Sequence, residues 1–171
     1  QALGEVHSGL KRPTEAVAAF SKALEVGGET VAVRLGRGGA YRQLGQFADA
    51  AADFDRLIAL VPYAWQPWLQ RGFCHATLGQ WDKAQSDYDK VIEIGADQPF
   101  VFYQAGLVAL GHNDAVAFEA KRLVMQKRYS GSLDPEAAWW TAWLWAHEAS
   151  TPPADVLALA QRAVLQQPLN E

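Results

Sequence analysis

The stretch LGQFADAAADF, residues 44–54, returns as LGQWDKAQSDY at residues 78–88, 34 residues further on. The same spacing runs through much of the chain. Glycine recurs at Gly4, Gly38, Gly72 and Gly106, alanine at Ala16, Ala50 and Ala84, an aromatic ring at Phe20, Phe54 and Tyr88, and an aliphatic side chain at Leu24, Ile58 and Ile92. Four residue classes locked to one period mark a chain built from repeated supersecondary units.

The residue types give each slot a task. Gly45 and Gly79 stand between two amphipathic patterns, where glycine accepts a positive φ and ends a helix. Gly38, Gly72, Ala50 and Ala84 are small enough to let two helices approach closely. Phe54 and Tyr88 are read as the fill between successive hairpins, and Pro62 as a helix stop. The predicted helices cover 1–9 and 13–26, 31–43 and 47–60, 65–77 and 81–94, 98–110 and 113–128, and 135–149 and 153–166.

This pattern resembles the tetratricopeptide repeat (TPR), a helix–turn–helix unit. Residues 31–62 supply Gly38, Tyr41, Gly45, Ala50, Phe54 and Pro62 to its signature. Residues 65–96 supply Trp68, Gly72, Gly79, Ala84 and Tyr88, and residues 1–28 supply Leu3, Gly4, Ala16, Phe20 and Ala23. The likeness is strong over 1–96 and weakens beyond. Phe102 and Gly106 keep the register of a fourth unit, 98–130, but the next aromatic slot holds Arg122 while the ring is Phe118, which a shortened turn would explain. A fifth unit, 134–168, regains Trp140, Ala163 and Pro168. The tail is similar to the last repeats of bacterial multidomain proteins whose TPR arrays follow a kinase or β-propeller module.

The resemblance implies an all-α, superhelical solenoid of stacked helix–turn–helix hairpins, one domain over 1–171. A hairpin alone exposes an apolar face and is stabilised by its neighbours. The chain starts with Gln1 inside a helix-like pattern, so a fragment of a longer protein is expected.

Composition narrows function. The 171 residues carry a net charge of −4, half are hydrophobic and a fifth are charged. Such a chain lacks the basic field that neutralises phosphates, so no nucleic-acid partner is expected. No apolar run reaches the ~18 residues of a membrane-spanning helix. The single cysteine, Cys74, offers neither a disulfide nor a thiolate metal site and suits a reducing, cytoplasmic setting.

No catalytic or cofactor constellation emerges. His7, His75 and His147 share the repeat slot that Tyr41 holds in the second unit, which is a structural coincidence of packing, and His112 falls in a turn. Cys74 and His75 are adjacent on a helix and point ~100° apart, out of nucleophile–base reach. Asp53 and Asp55, with their equivalents Asp87 and Asp89, read as a solvated outer face, with Lys83 and Asp87 an i,i+4 pair. LGRGG, residues 35–39, has no preceding strand and reads as close helix packing, not a phosphate loop. Trp68, Trp81, Trp140 and Trp143 fit core slots, Trp65 beside Tyr63 falls in an exposed turn, and four Trp from Trp139 to Trp145 cannot all face one core. No cofactor, metal or catalytic residue is assigned, and the chain is read as a non-enzyme.

The resemblance also implies that first helices line a concave, partner-binding groove. Its slots here are Leu35, Gly39 and Arg42; Gln66, Leu69, Gln70 and Phe73; Phe100, Tyr103, Gln104 and Leu107; and Thr141, Trp145 and Glu148. Lys and Asn, which grip acidic tails in the family's co-chaperones, are missing from these slots, and Arg42 is the only cation among them. The expected partner is an apolar or mixed peptide, or another domain of the same chain. Two alternatives stand beside this reading: a cis-acting docking module of a larger enzyme such as a kinase or protease, and a self-assembling segment that stacks through Trp139–Trp145.

Overall fold

The computed structural model describes residues 12–146, and every regular element among them is an α-helix. These are α1 (Pro13–Glu25), α2 (Val31–Gln43), α3 (Phe47–Leu60), α4 (Trp65–Thr77), α5 (Trp81–Glu93), α6 (Pro99–Gly111), α7 (Ala115–Tyr129) and α8 (Pro135–Ala146). The helices expected at 1–9 and 153–166, with His7, His147 and Glu148, lie outside the described residues. The helices fall into two compact units, the first ending at Ile94 and the second beginning at Gly95.

Each helix ends for a local reason. After α2 the Gly45 N–H donates to the Arg42 carbonyl at 3.0 Å and the Gln46 N–H to the Tyr41 carbonyl at 2.9 Å, with Gly45 at φ +73°. After α4, Gly79 donates to Ala76 at 3.0 Å and Gln80 to His75 at 2.8 Å, with Gly79 at φ +69°. This paired bonding satisfies the last carbonyls and needs a left-handed residue at its pivot. Helix starts are marked by Pro13 and Pro99 at first-turn positions, and by Thr30 and Asp114, whose side chains accept from the Val33 and Ala117 N–H groups at 3.2 and 2.9 Å.

The fourth repeat does not have a shortened turn. Asn113 stands 34 residues after Gly79, at φ +60°, donating to Leu110 at 3.0 Å, and Asp114 donates to Ala109 at 2.9 Å. Asparagine is among the few non-glycine residues that tolerate this conformation. The register therefore holds through α7, and Arg122 occupies the slot of Phe54 and Tyr88 while Phe118 occupies that of Ala50 and Ala84. Both are buried. Arg122 survives there because its guanidinium lies 3.9 Å from the Trp145 ring centroid and pairs with Glu119.

In the first unit α1 to α5 pack successively, each on the next. A Cβ at Gly38 would sit 2.9 Å from the Phe54 ring, and one at Gly72 3.1 Å from Asp87 and 3.3 Å from Tyr88. Phe54 and Tyr88 thus seal their own hairpins, and Phe54 also joins Ala50, Ala51, Leu57 and Cys74 in a core cluster that reaches α4. In the second unit α6, α7 and α8 pack mutually, and Gly106 receives Leu144.

Candidate partner-binding surface

The first helices of the first unit bring several of the slots expected to line a groove into one linked set. Arg42, in the last turn of α2, lays its guanidinium 4.5 Å from the Phe73 centroid and donates to Gln70 Oε1. The Phe73 ring meets Phe47 of α3 edge-on at 6.2 Å. Leu69, Gln70 and Phe73 are half-buried and Gln66 is exposed. Leu35 packs on the core cluster. At Gly39, one repeat before Phe73, a Cβ would meet nothing within 4 Å.

The second unit treats its slots differently. Phe100 and Tyr103 both pack on Trp140, at 5.1 and 4.8 Å between centroids. Tyr103 is buried, which raises its phenol pKa, while Gln104 and Leu107 remain half-buried. Trp145 and Thr141 turn inward, Trp145 beneath Arg122, and the Trp145 Nε1–H has no hydrogen-bond partner. Trp139 and Trp143 are the rings that face solvent, 39% and 47% exposed. This corrects the placing of Trp143 in the core: Ala137, Ala138, Thr141, Leu144 and Trp145 form the inward face of α8, and Trp143 lies off it. Trp65, Trp68, Trp81 and Trp140 are half-buried, whereas Tyr63 is 89% exposed.

The outer face holds the largest departure from expectation. Asp53 and Asp87 are 1% and 2% exposed, not solvated. Arg37 forks onto Asp53 with two 2.7 Å bonds, and Arg34 adds a third of 2.7 Å. Arg71 Nε donates to Asp87 at 3.1 Å, Arg71 Nη2 donates to the same carboxylate, and His75 Nδ1 lies 2.9 Å from it. Asp87 faces α4, so the expected Lys83–Asp87 pair gives way to these partners. Hydrogen bonding to Asp53 raises the Arg37 pKa against the opposing effect of burial. At Arg71 burial is the larger single influence, yet the bonds to Asp87 and Asp55 together overcome it and the pKa rises. Asp55 and Asp89 are exposed, as expected, although Asp55 also pairs with Arg71.

The histidine and cysteine readings gain a physical basis. Tyr41, in the slot of His75, lies 5.6 Å beneath Arg37, so that slot borders the Arg–Asp fork in both repeats. His112 is exposed at the C-cap of α6. Burial pushes the Cys74 thiol up to about 11, and its neighbour His75 is engaged with Asp87. Among the described residues no group of His, Cys, Asp and Glu is placed to hold a metal ion, and no helix is long and apolar enough to cross a membrane.

The period offered a signal for the buried pairs. Arg37 and Arg71 are 34 apart, as are Asp53 and Asp87, so a cation and an anion recur together. In the fourth unit the two slots hold Ala105 and Lys121, and the pair is lost from both sides.

Comparison with known proteins bears on this architecture. The tetratricopeptide-repeat family model matches residues 2–65 and 40–99. No curated protein matches the sequence. Solved structures with the same fold include TTC0263, a thermophilic TPR protein of Thermus thermophilus, with TM-score 0.67 and 16% identity over 93% of this chain and 85% of that one. MamA from Desulfovibrio magneticus RS-1 matches with TM-score 0.65 and 16% identity over 91% and 84%. YrrB, described as a TPR protein with an unusual peptide-binding site, matches with TM-score 0.61 and 18% identity over 88% and 76%.

Proposed function

The chain belongs to the tetratricopeptide-repeat family, and from that premise we propose that it is a non-catalytic scaffold that holds a peptide segment of a partner protein against its first helices. The family's fold is commonly a protein–protein interaction module, which makes a protein or peptide the class of partner. The observation that carries the reading is Phe73. Its ring is braced by Phe47 and capped by Arg42, so its position is fixed, yet it stays half-exposed, with Gln70 bonded to the same Arg42 and exposed Gln66 seven residues back on the same helix. A rigid, partly exposed ring with amides on the same helix suits an apolar anchor on a peptide whose backbone the amides can bond. Arg42 is already engaged by Phe73 and Gln70, which argues against a ligand chosen for its carboxylates. That YrrB is described as binding peptides adds support from the fold.

The second unit supports the same role through other residues. Phe100, Gln104 and Leu107 remain half-exposed around the Tyr103–Trp140 contact. Trp145 is set aside because it is buried.

The test is selection of peptides from a random library on the 171-residue chain, followed by affinity measurement with Phe73→Ala, Gln70→Ala and wild type. Loss of affinity of about tenfold or more in Phe73→Ala, with an unchanged helical spectrum, is expected for removal of an aromatic anchor. Equal affinity of the folded variant and wild type would sink the reading.

A further inference from the structure

Helix α7 carries an exposed apolar stripe on its outer side. Val116, Leu123 and Val124 are 82%, 50% and 44% exposed, and Ala120 between them is exposed too. Spacings of four, seven and eight residues place all of them on one helix face. One repeat earlier the same slots on α5 read Asp82, Ser86, Asp89 and Lys90, and on α3 they read Ala48, Ala52, Asp55 and Arg56. The fourth repeat keeps the helical phase of the others, so this is a change of surface chemistry and not a slip of register.

We propose that the α7 stripe is the contact surface of a two-fold symmetric dimer, in which α7 packs antiparallel on α7 of a second copy with Ala120 at the crossing. The sequence is self-complementary about that residue. Val116 and Val124 lie four residues to either side of Ala120, so a two-fold axis through it brings Val116 of each copy to Val124 of the other. Alanine at the crossing lets the axes come within about 8 Å, the short end of helix packing.

Charge selects the direction. Asp114 caps the start of α7, and Lys127 is exposed near its end, three and four residues beyond Val124 and Leu123 and so on the same face. Antiparallel packing sets the acidic end of one helix against the basic end of the other, and opposes the two helix dipoles. Parallel packing would stack like charges at both ends. A contact of one helix face falls below the ~1,200 Å² of standard stable interfaces. The dimer is therefore one that forms and dissociates with concentration.

Sedimentation velocity of the full chain across low to high micromolar concentration reads this directly. The mean mass should climb toward that of two chains. Leu123→Asp should hold it at one chain, and Lys127→Glu should move the midpoint to higher concentration. Ala120→Cys should form a disulfide-linked dimer under mild oxidation. Ala52→Cys, the same slot on α3, should not, and buried Cys74 stays out of the reaction. A full chain that is monomeric at every concentration overturns the proposal. So does a dimer that ignores Leu123→Asp and gives no Ala120→Cys link, since the interface would then lie on another face, such as that of Trp139 and Trp143. The helical spectra of Lys127→Glu and Ala120→Cys, both exposed positions, confirm that folding is not what changed.

Discussion

Arg37 and Asp53 form a two-armed pair, 2.7 Å on each arm, between helices sixteen residues apart in sequence, and Arg71 and Asp87 rebuild it one repeat later. The carboxylates are buried while the arginines keep an edge in solvent, 19% and 18% exposed. Such a fork ties the two helices of a hairpin together next to the close glycine contact, since Gly38 and Gly72 approach the same aspartates.

Removing one member strands the others. Asp87→Ala is expected to cost about 2 kcal/mol, because Arg71 and His75 lose a buried acceptor. Asp89→Ala, two residues away on the exposed side of α5, should cost under about 0.5 kcal/mol. Urea unfolding of the two variants measures the contrast, and equal midpoints would return Asp87 to the solvated face.

Three glycines should respond with different signs. Gly38→Ala forces the Phe54 ring to move and should destabilise. Gly39→Ala meets open space inside a helix and should stabilise by about 0.5–1 kcal/mol. Gly79→Ala also meets open space, but at φ +69°, and should cost about 1–2 kcal/mol. Thermal midpoints of the three variants check the order, which contact distance alone would not give.

Asp97 supplies a pH test within the second unit. Arg128, at 2.6 Å, and then Tyr129, at 2.8 Å, hold its carboxyl below the usual range. A depressed pKa adds stability above the unfolded value, near 4, that is lost as pH falls through the folded one. Asp97→Asn should therefore unfold more easily than wild type at neutral pH, by ~0.5 kcal/mol for so exposed a pair. The gap should close once the pH is well below 4.

Cys74 should behave as a reporter. Buried and with its pKa near 11, it should react with a disulfide reagent at mildly alkaline pH only as fast as the first unit opens. Denaturant below the unfolding midpoint should accelerate labelling, and fast labelling of the native chain would contradict the burial.

Helix boundaries were legible because the chain marks them with residues of restricted or unusual backbone. The spans expected at 31–43, 47–60 and 65–77 are those observed, each closed by Gly45, Pro62 or Gly79. The fourth repeat was misread because Asn113 does a glycine's task and Arg122 a ring's, substitutions that work only with the capping bonds and the Trp145 face in place. The buried aspartates were misread for a related cause. An Asp on an outer helix is solvated by default, and its partner lies sixteen residues back, beyond the reach of any helical spacing rule. Of the slots expected to line a groove, Phe73 and Gln70 remain partly exposed, whereas Trp145 is buried against Arg122, a contact that could be foreseen only with the fourth repeat's register held through Asn113.

The turn at Asn113 has a consequence for how this chain can vary. Its bonding is the same as at Gly45 and Gly79, although the helix that follows it holds a ring where the earlier repeats have alanine, a cation where they have a ring, and valine where α5 has charge. The turn keeps time independently of what the helices bury or display. Any one hairpin is then free to acquire a new face while the hairpins around it keep theirs, and such a chain changes its associations one cassette at a time.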